Sequence, residues 1–140
     1  AIRGLVNPEE PSMGAIPTVV APGIAPPAGH YSHATVHNGV AYVAGILPHV
    51  PGQVAPKPGT IEEQTRQALA NLEAVLVAAG SDRTRVLRVT AYVSDVAHWP
   101  AVNRVWAEFF GEHRPARAVV PVSELHYGYA IEIETTAACD

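Results

Sequence analysis

The sequence predicts a single α+β domain in which two helices cover one face of a five- or six-stranded mixed sheet. Segments with alternating apolar and polar residues occur toward both ends of the chain, and this alternation is typical of strands. Between them lie two segments whose apolar residues recur at helical spacing, the pattern of amphipathic helices. With 140 residues, 48% of them hydrophobic, the chain is long enough for one buried core.

The start of the chain is predicted to be an irregular extension. It contains Pro8 and Pro11, with Pro17 at its end, and proline lacks the backbone donor that helices and strands need. We therefore place the domain at residues 17–140, and we expect residues 1–16 to lie on the surface or against a neighbouring subunit.

A β-hairpin is predicted near the start of the domain. Residues 18–20 can form a short strand, and residues 31–37 alternate loosely. Asn38 and Gly39 follow, and Asn-Gly is the strongest short hairpin signal. Residues 40–45 are the predicted return strand.

A first helix is predicted from Thr60 to Ala79. Thr60 and Glu63 fit a capping box, and Gly80 is a natural stop. A second helix is predicted around residues 95–111. Pro100 lies in its first turn, where proline is well tolerated.

Three further strands are predicted at residues 86–93, 114–121 and 130–136. Turn and polar residues separate the last two, which we interpret as a closing hairpin. The chain would then run hairpin, helix, strand, helix, hairpin.

Arg117 is the one charged residue inside an apolar strand. A guanidinium in such a place needs an anionic partner. Glu132 or Glu134, which share one face of the last strand, could supply it as a cross-strand ion pair without chemistry. A substrate carboxylate is the alternative.

The strand faces carrying Arg117, Glu132, Glu134 and Arg88 are expected to look away from the helices. Apolar residues on that side would leave a large exposed patch. Self-association around a symmetry axis would cover it, and a site between subunits would then lie at the seam.

The composition disfavours several classes of protein. A formal net charge of −4 with nine Lys and Arg residues gives no basic cluster for nucleic acid, and no apolar stretch is long enough to span a membrane. The single cysteine, Cys139, cannot form an internal disulfide and favours a reducing compartment, so we expect a cytoplasmic protein. The histidines show no metal-ligand spacing, so no metal site is predicted.

His30 and His33 flank Tyr31 at a glycine-rich entry to a strand. We interpret both as exposed loop histidines. Tyr31 is either an ordinary aromatic at the start of the strand or a phenol that donates a hydrogen bond to a ligand.

Several segments, taken in order, resemble the RidA/YjgF family of enamine/imine deaminases. The resemblance runs from Pro17 to Ala137. It rests on six pieces in the right order: residues 29–34, 40–45, 64–72, 102–103 with 109–110, 115–117 and 131–134.

This resemblance implies a chorismate-mutase-like fold of the bacterial type. It also implies a homotrimer with active sites in the clefts between subunits. The implied reaction is hydrolysis of 2-aminoacrylate-type enamines, or their imines, to 2-keto acids and ammonia, with no cofactor and no metal.

By position, the resemblance makes Arg117 the carboxylate-binding arginine and Glu132 the glutamate that orients water. Tyr31 matches the family's active-site tyrosine. Val119 stands where a backbone carbonyl helps to hold the water. Asn103 also matches a family position, and we interpret it as structural.

Four residues depart from the family pattern. Ile46 and Ala118 stand where glutamine and serine are usual, and His30 and His33 replace proline and glutamine. With Arg117 and Val119, we expect Ile46, Ala118 and His33 to bind substrate. The pocket should then be more apolar on one wall, with imidazoles at its mouth. It would suit a larger enamine, an aminomuconate-like acid or a biosynthetic intermediate.

Two other functions are compatible with the resemblance. One is binding of small carboxylates or keto acids without general imine turnover. The other is a ribonuclease or an inhibitor of translation, activities attributed to some relatives, and the acidic charge balance argues against it.

Overall fold

A computed structural model describes residues 14–140, so residues 1–13 of the predicted extension lie outside the described residues. Residues 14–140 form a six-stranded mixed sheet and two helices, the predicted α+β class. The strands are β1 (Thr18–Val19), β2 (Ala34–His37), β3 (Val40–Ile46), β4 (Val86–Val93), β5 (Ala116–Pro121) and β6 (Ile131–Ala138). The helices are α1 (Ile61–Ala78) and α2 (Trp99–Phe110). Across the sheet the strands run β1-β2-β3-β6-β4-β5.

The predicted first hairpin is confirmed. Asn38 and Gly39 connect β2 to β3 with φ of 51° and 75°, the left-handed conformations that a two-residue hairpin turn requires. β2 begins at Ala34, three residues later than expected, because residues 28–33 belong to the loop that enters the strand.

Helix α1 has the predicted capping box. The Thr60 hydroxyl accepts from the Glu63 N–H at 3.1 Å, and the Glu63 carboxylate accepts from the Thr60 N–H at 2.8 Å. Both bonds satisfy donors that a helix start leaves free. The predicted stop is also present, since Gly80 has a φ of 81°.

The core lies between the helices and one face of the sheet. Helix α2 follows a short 3₁₀ turn and has a proline at its start. The two helices contribute apolar stripes that meet the inward residues of β4 and β6. The largest fully buried apolar side chains are Leu69, Leu72, Val75, Leu76, Val86, Val89, Val93, Val102, Val105, Ile131 and Ile133.

The predicted closing hairpin is wrong. β4 lies between β5 and β6, and β5 runs parallel to β4 while β6 pairs antiparallel with β3 and β4. Pro115 and Pro121 flank or end β5, and a strand bounded by prolines suits a sheet edge. β6 instead buries an apolar face, with Ile131 and Ile133 fully enclosed, which suits a central position.

Arg117 does not share a face with Glu132, contrary to expectation. Arg117 pairs with Val89, and Glu132 pairs with Tyr92. Paired residues point to the same side of a sheet, and positions three apart along one strand point to opposite sides. Val89 is a core residue, so Arg117 lies on the helix side. The sequence did not reveal the direction of Arg117 because β5 has apolar residues on both of its faces.

The other face of the sheet carries Glu132 and Glu134, as expected, together with Arg88 and Tyr92. Neither α1 nor α2 covers this face among the described residues. Tyr42 of β3 leaves 50% of its surface exposed there. No helix in residues 14–140 combines the length and hydropathy needed to cross a bilayer.

Candidate active site

Four of the predicted site residues line one cavity of about 810 Å³. Tyr31, His33, Ile46 and Glu132 lie around it, beside the glycine-rich entry loop and the ends of β3 and β6. These four residues therefore lie together within one chain.

Glu132 is the acid of this cavity. The carboxyl is half-buried, and burial raises its pKa above the ordinary 4.5, an effect that the neighbouring His126 opposes and Glu134 reinforces. Gly45 of β3 leaves room for the carboxylate, because any side chain there would collide with it. A carboxyl in this setting can accept a proton from water.

The start of β6, and with it Glu132, is held by Gln64 of α1. The backbone N–H of Ala130 donates to Gln64 Oε1 at 2.7 Å. The amide nitrogen of Gln64 donates to the carbonyl of Gly59 at 2.9 Å. Because Gln64 is buried, these bonds form in a poorly solvated place and fix the acid's strand relative to the helix.

Tyr31 reaches the cavity from the entry loop. Its hydroxyl accepts from the backbone N–H of Ala28 at 3.3 Å, and 51% of the residue is exposed. The phenol proton is then available for a ligand. Tyr31 and Glu132 thus face the same space.

His33 is buried, whereas we expected it to be exposed. Its Nδ1 accepts from the Ala21 N–H at 2.9 Å, and its Nε2 faces the Ala25 carbonyl at 3.1 Å. Nε2 therefore carries the proton. Both nitrogens are used within the chain, so His33 shapes the cavity wall and ties the entry loop down. His30 is exposed and lies outside the cavity lining.

Arg117 lies outside the cavity. Its Nη1 donates to Asn103 Oδ1 at 3.0 Å, and its guanidinium carbon lies 5.6 Å from the ring centroids of both Trp99 and Trp106. The cross-strand pair with Glu132 or Glu134 is therefore wrong, since no carboxylate in residues 14–140 forms an ion pair with Arg117.

The remaining predicted residues divide between the faces of β5. Val119 packs against the core on the same side as Arg117. Ala118 pairs with Thr90 and so points to the opposite side. Neither residue lines the cavity of its own chain. Glu134 accepts a hydrogen bond from the Tyr92 hydroxyl.

Sequence reasoning missed a second wall of the cavity. His49 follows β3, and its Nδ1 forms a hydrogen bond with the Tyr129 hydroxyl at 3.0 Å. Burial lowers the pKa of His49. Asn71 of α1 donates to the carbonyls of Leu47 and His49 at 3.0 and 2.8 Å. The one available signal was Asn71, a polar residue beside the apolar stripe of its helix.

Within the part of the chain that the structure describes, no three His, Cys, Asp or Glu residues come together as a metal site. The cavity lining there also includes no Lys or Arg. A carboxylated ligand would therefore need a cation from outside this lining, while Glu132 could act on a bound water.

Known proteins resemble this chain over most of its length. A family model described as Endoribonuclease L-PSP matches residues 23–139. A RutC family protein of Pyrococcus horikoshii is 41% identical over 111 residues, 79% of this chain and 88% of the relative. The 2-iminobutanoate/2-iminopropanoate deaminase of Homo sapiens is 34% identical over 122 residues, 87% of each chain.

Solved structures show the same likeness. A Rid family protein, YyfA from Yersinia pestis, superposes with a TM-score of 0.84 at 33% identity, covering 89% of this chain and 99% of that one. The predicted resemblance and fold are thereby confirmed. The chain belongs to the RidA/YjgF family, whose model is described as Endoribonuclease L-PSP.

Proposed function

We propose that this protein, through its domain at residues 17–140, hydrolyses 2-imino acids and their enamine tautomers to 2-keto acids and ammonia. One observation carries the proposal most directly: Arg117 is held in place by an amide and two indole rings, with no carboxylate partner in residues 14–140. A guanidinium kept ready in this way suits a substrate carboxylate. The deaminase named among the relatives supports the same reaction.

Arg117 and Glu132 cannot meet within one chain, because they lie on opposite faces and β4 separates their strands. We therefore propose a homotrimer in which edge strand β5 of one subunit brings Arg117 to the cavity of the next. The open sheet face, with Tyr42 half exposed, is a surface that such an assembly would cover.

In the proposed mechanism, Arg117 binds the substrate carboxylate through two parallel hydrogen bonds. The imine carbon then lies near Glu132, which accepts a proton as water adds to that carbon. The backbone carbonyl of Val119 accepts from the same water, and the Tyr31 hydroxyl donates to the substrate. Fixed placement supplies much of the acceleration.

Glu132 returns the proton taken from water to the nitrogen and then transfers the proton of the newly formed hydroxyl group to the same nitrogen. The carbon–nitrogen bond breaks, and ammonia leaves as the carbonyl of the keto acid forms. One imino acid and one water thus yield one keto acid and one ammonia. The raised pKa of Glu132 suits a group that both accepts and returns a proton.

The test is release of ammonia and keto acid from imino acids generated enzymatically. Arg117→Ala should lower kcat/KM by ~100-fold or more, because it removes both charge and orientation. Arg66→Ala is the matched control, since Arg66 is an exposed arginine paired with Glu108 at 3.3 Å. An Arg117→Ala protein that keeps its fold and full turnover would overturn the assignment.

Binding without turnover is the competing function. It would retain the arginine as a clamp for small keto acids. Keto-acid binding by calorimetry, combined with no acceleration of any imine, would favour it.

The family model is described as an endoribonuclease, so RNA cleavage is a third candidate function. The formal charge of −4 works against phosphate binding. Cleavage of RNA by a purified protein, lost in Glu132→Gln or Arg117→Ala, would be needed to support that activity.

We also propose a cytoplasmic location. Cys139 is a free, buried thiol, which fits a reducing compartment. Localisation of the tagged protein tests this, and a location in any other compartment would contradict it.

A further inference from the structure

The cavity continues past Glu132 to a wall made of four rings. We name this surface the aromatic wall and define it as His49, His126, Tyr127 and Tyr129. The His49 ring centroid lies 5.1 Å from those of Tyr127 and Tyr129, and that of His126 lies 6.0 Å from that of Tyr127. All four residues line the same cavity as Glu132 and Tyr31.

Hydrogen bonds within the chain hold the aromatic wall in place. His49 is fixed through its ring nitrogen by Tyr129 and through its carbonyl by Asn71. Tyr127 has a φ of 63°, a left-handed conformation that is energetically costly for bulky residues. The fold tolerates this cost while leaving 52% of Tyr127 exposed.

Apolar residues complete the lining of the cavity. Ile24, Pro26 and Ile46 are among them. Aromatic rings and aliphatic side chains around one cavity suit a flat, apolar group.

The charges of the cavity select against acidic side chains. Glu132 is its carboxylate, and no Lys or Arg lines it within residues 14–140. Burial lowers the pKa of His49 and so favours its neutral form. His126 lies close enough to act on Glu132 and offsets that charge. A second carboxylate on a substrate would therefore meet Glu132 with no Lys or Arg of this lining to neutralise it.

We propose that the aromatic wall is the side-chain pocket of the active site and that it selects 2-imino acids with uncharged aromatic side chains. This inference rests on the proposed function. Dicarboxylic, aminomuconate-like acids, which the sequence left open, should then be poor substrates.

Turnover of the imines derived from phenylalanine, alanine and glutamate tests the proposal. We expect kcat/KM for the phenylalanine imine to exceed the alanine value by ~10-fold or more, with the glutamate imine the slowest. Equal rates for all three, or a preference for the glutamate imine, would overturn it.

Substitutions at Tyr127 test the wall itself. Tyr127→Gly removes the ring and suits a φ of 63°, so the loop remains free to adopt its conformation. It should reduce the phenylalanine-to-alanine ratio by ~3- to 10-fold. Tyr127→Phe keeps the ring and should keep the ratio. An unchanged ratio in Tyr127→Gly would show that the ring does not contact the substrate.

A binding experiment separates this inference from the proposed function. Phenylpyruvate and pyruvate are titrated into the wild-type protein and Tyr127→Gly by calorimetry. If no imine is turned over, yet phenylpyruvate binds more tightly and Tyr127→Gly loses that preference, the pocket assignment holds and the deaminase proposal fails. Equal binding of the two keto acids overturns the pocket assignment.

Discussion

Glu132 occupies a place where its ionised form is poorly solvated. Burial raises its pKa, so the folded protein favours the protonated carboxyl more than the unfolded chain does. This group therefore stabilises the fold fully below its unfolded pKa near 4.5, and the stabilisation is lost as pH rises through the higher folded pKa. A residue that costs stability at neutral pH is typical of a functional site.

We predict that Glu132→Gln is more stable than the wild-type protein at pH 7, because the amide removes the cost of a buried charge. The difference should shrink at pH 4, where the wild-type carboxyl is protonated. Urea unfolding at one protomer concentration measures both. The same variant should lose ~100-fold or more in kcat/KM. A variant less stable than wild type at pH 7 would contradict the desolvation argument.

At the scale of elements, one side chain joins three segments around the site. Gln64 of α1 bonds to the carbonyl of Gly59 and to the backbone N–H of Ala130. The helix, the loop before it and the start of β6 are thereby held in register. The position of Glu132 depends on this junction because it lies two residues beyond Ala130.

We predict that Gln64→Leu lowers the free energy of unfolding by ~1–3 kcal/mol, since it leaves backbone groups without partners. It should also lower kcat by disturbing the start of β6. The control is Arg66→Ala on the same helix, whose exposed ion pair is worth at most ~1 kcal/mol. Denaturant unfolding and imine turnover measure the two effects. Equal stability losses in both variants would contradict a specific role for the junction.

At the scale of the whole molecule, the two halves of the candidate site are separated. Glu132 and Tyr31 lie at one cavity, and Arg117 lies across the sheet on edge strand β5. A single chain cannot bring them to one substrate. A closed cyclic assembly repeats the same contact around its axis, so every cavity would receive an arginine from a neighbour.

We predict that mixing two inactive variants restores activity. Subunits carrying Arg117→Ala supply an intact Glu132, and subunits carrying Glu132→Gln supply an intact Arg117. Equal amounts, unfolded and refolded together, should recover about one quarter of wild-type activity by random assembly. Each variant refolded alone should remain inactive, and sedimentation should give a trimer. No recovery from a mixed trimer would contradict a site shared between subunits.

Much of the fold was predictable from local patterns. The Asn38–Gly39 turn, the Thr60–Glu63 capping box and the stop at Gly80 depend on neighbouring residues and appear as expected. Family resemblance added Tyr31, Ile46 and Glu132, which the structure brings to one cavity. Short-range chemistry determines the turn, the cap and the stop, and the family pattern identifies the cavity residues, so the sequence reveals both.

Strand order and side-chain direction in β5 were decided only by the tertiary structure. Ala118, Val119 and Val120 are all apolar, so alternation could not show which way Arg117 points. Its direction follows from pairing with β4, a contact distant in sequence. The exposed His33 that we expected is likewise buried by bonds to Ala21 and Ala25. The aromatic wall arises in the same way, because long-range packing brings His49 against Tyr129 and the sequence encodes no local sign of that contact.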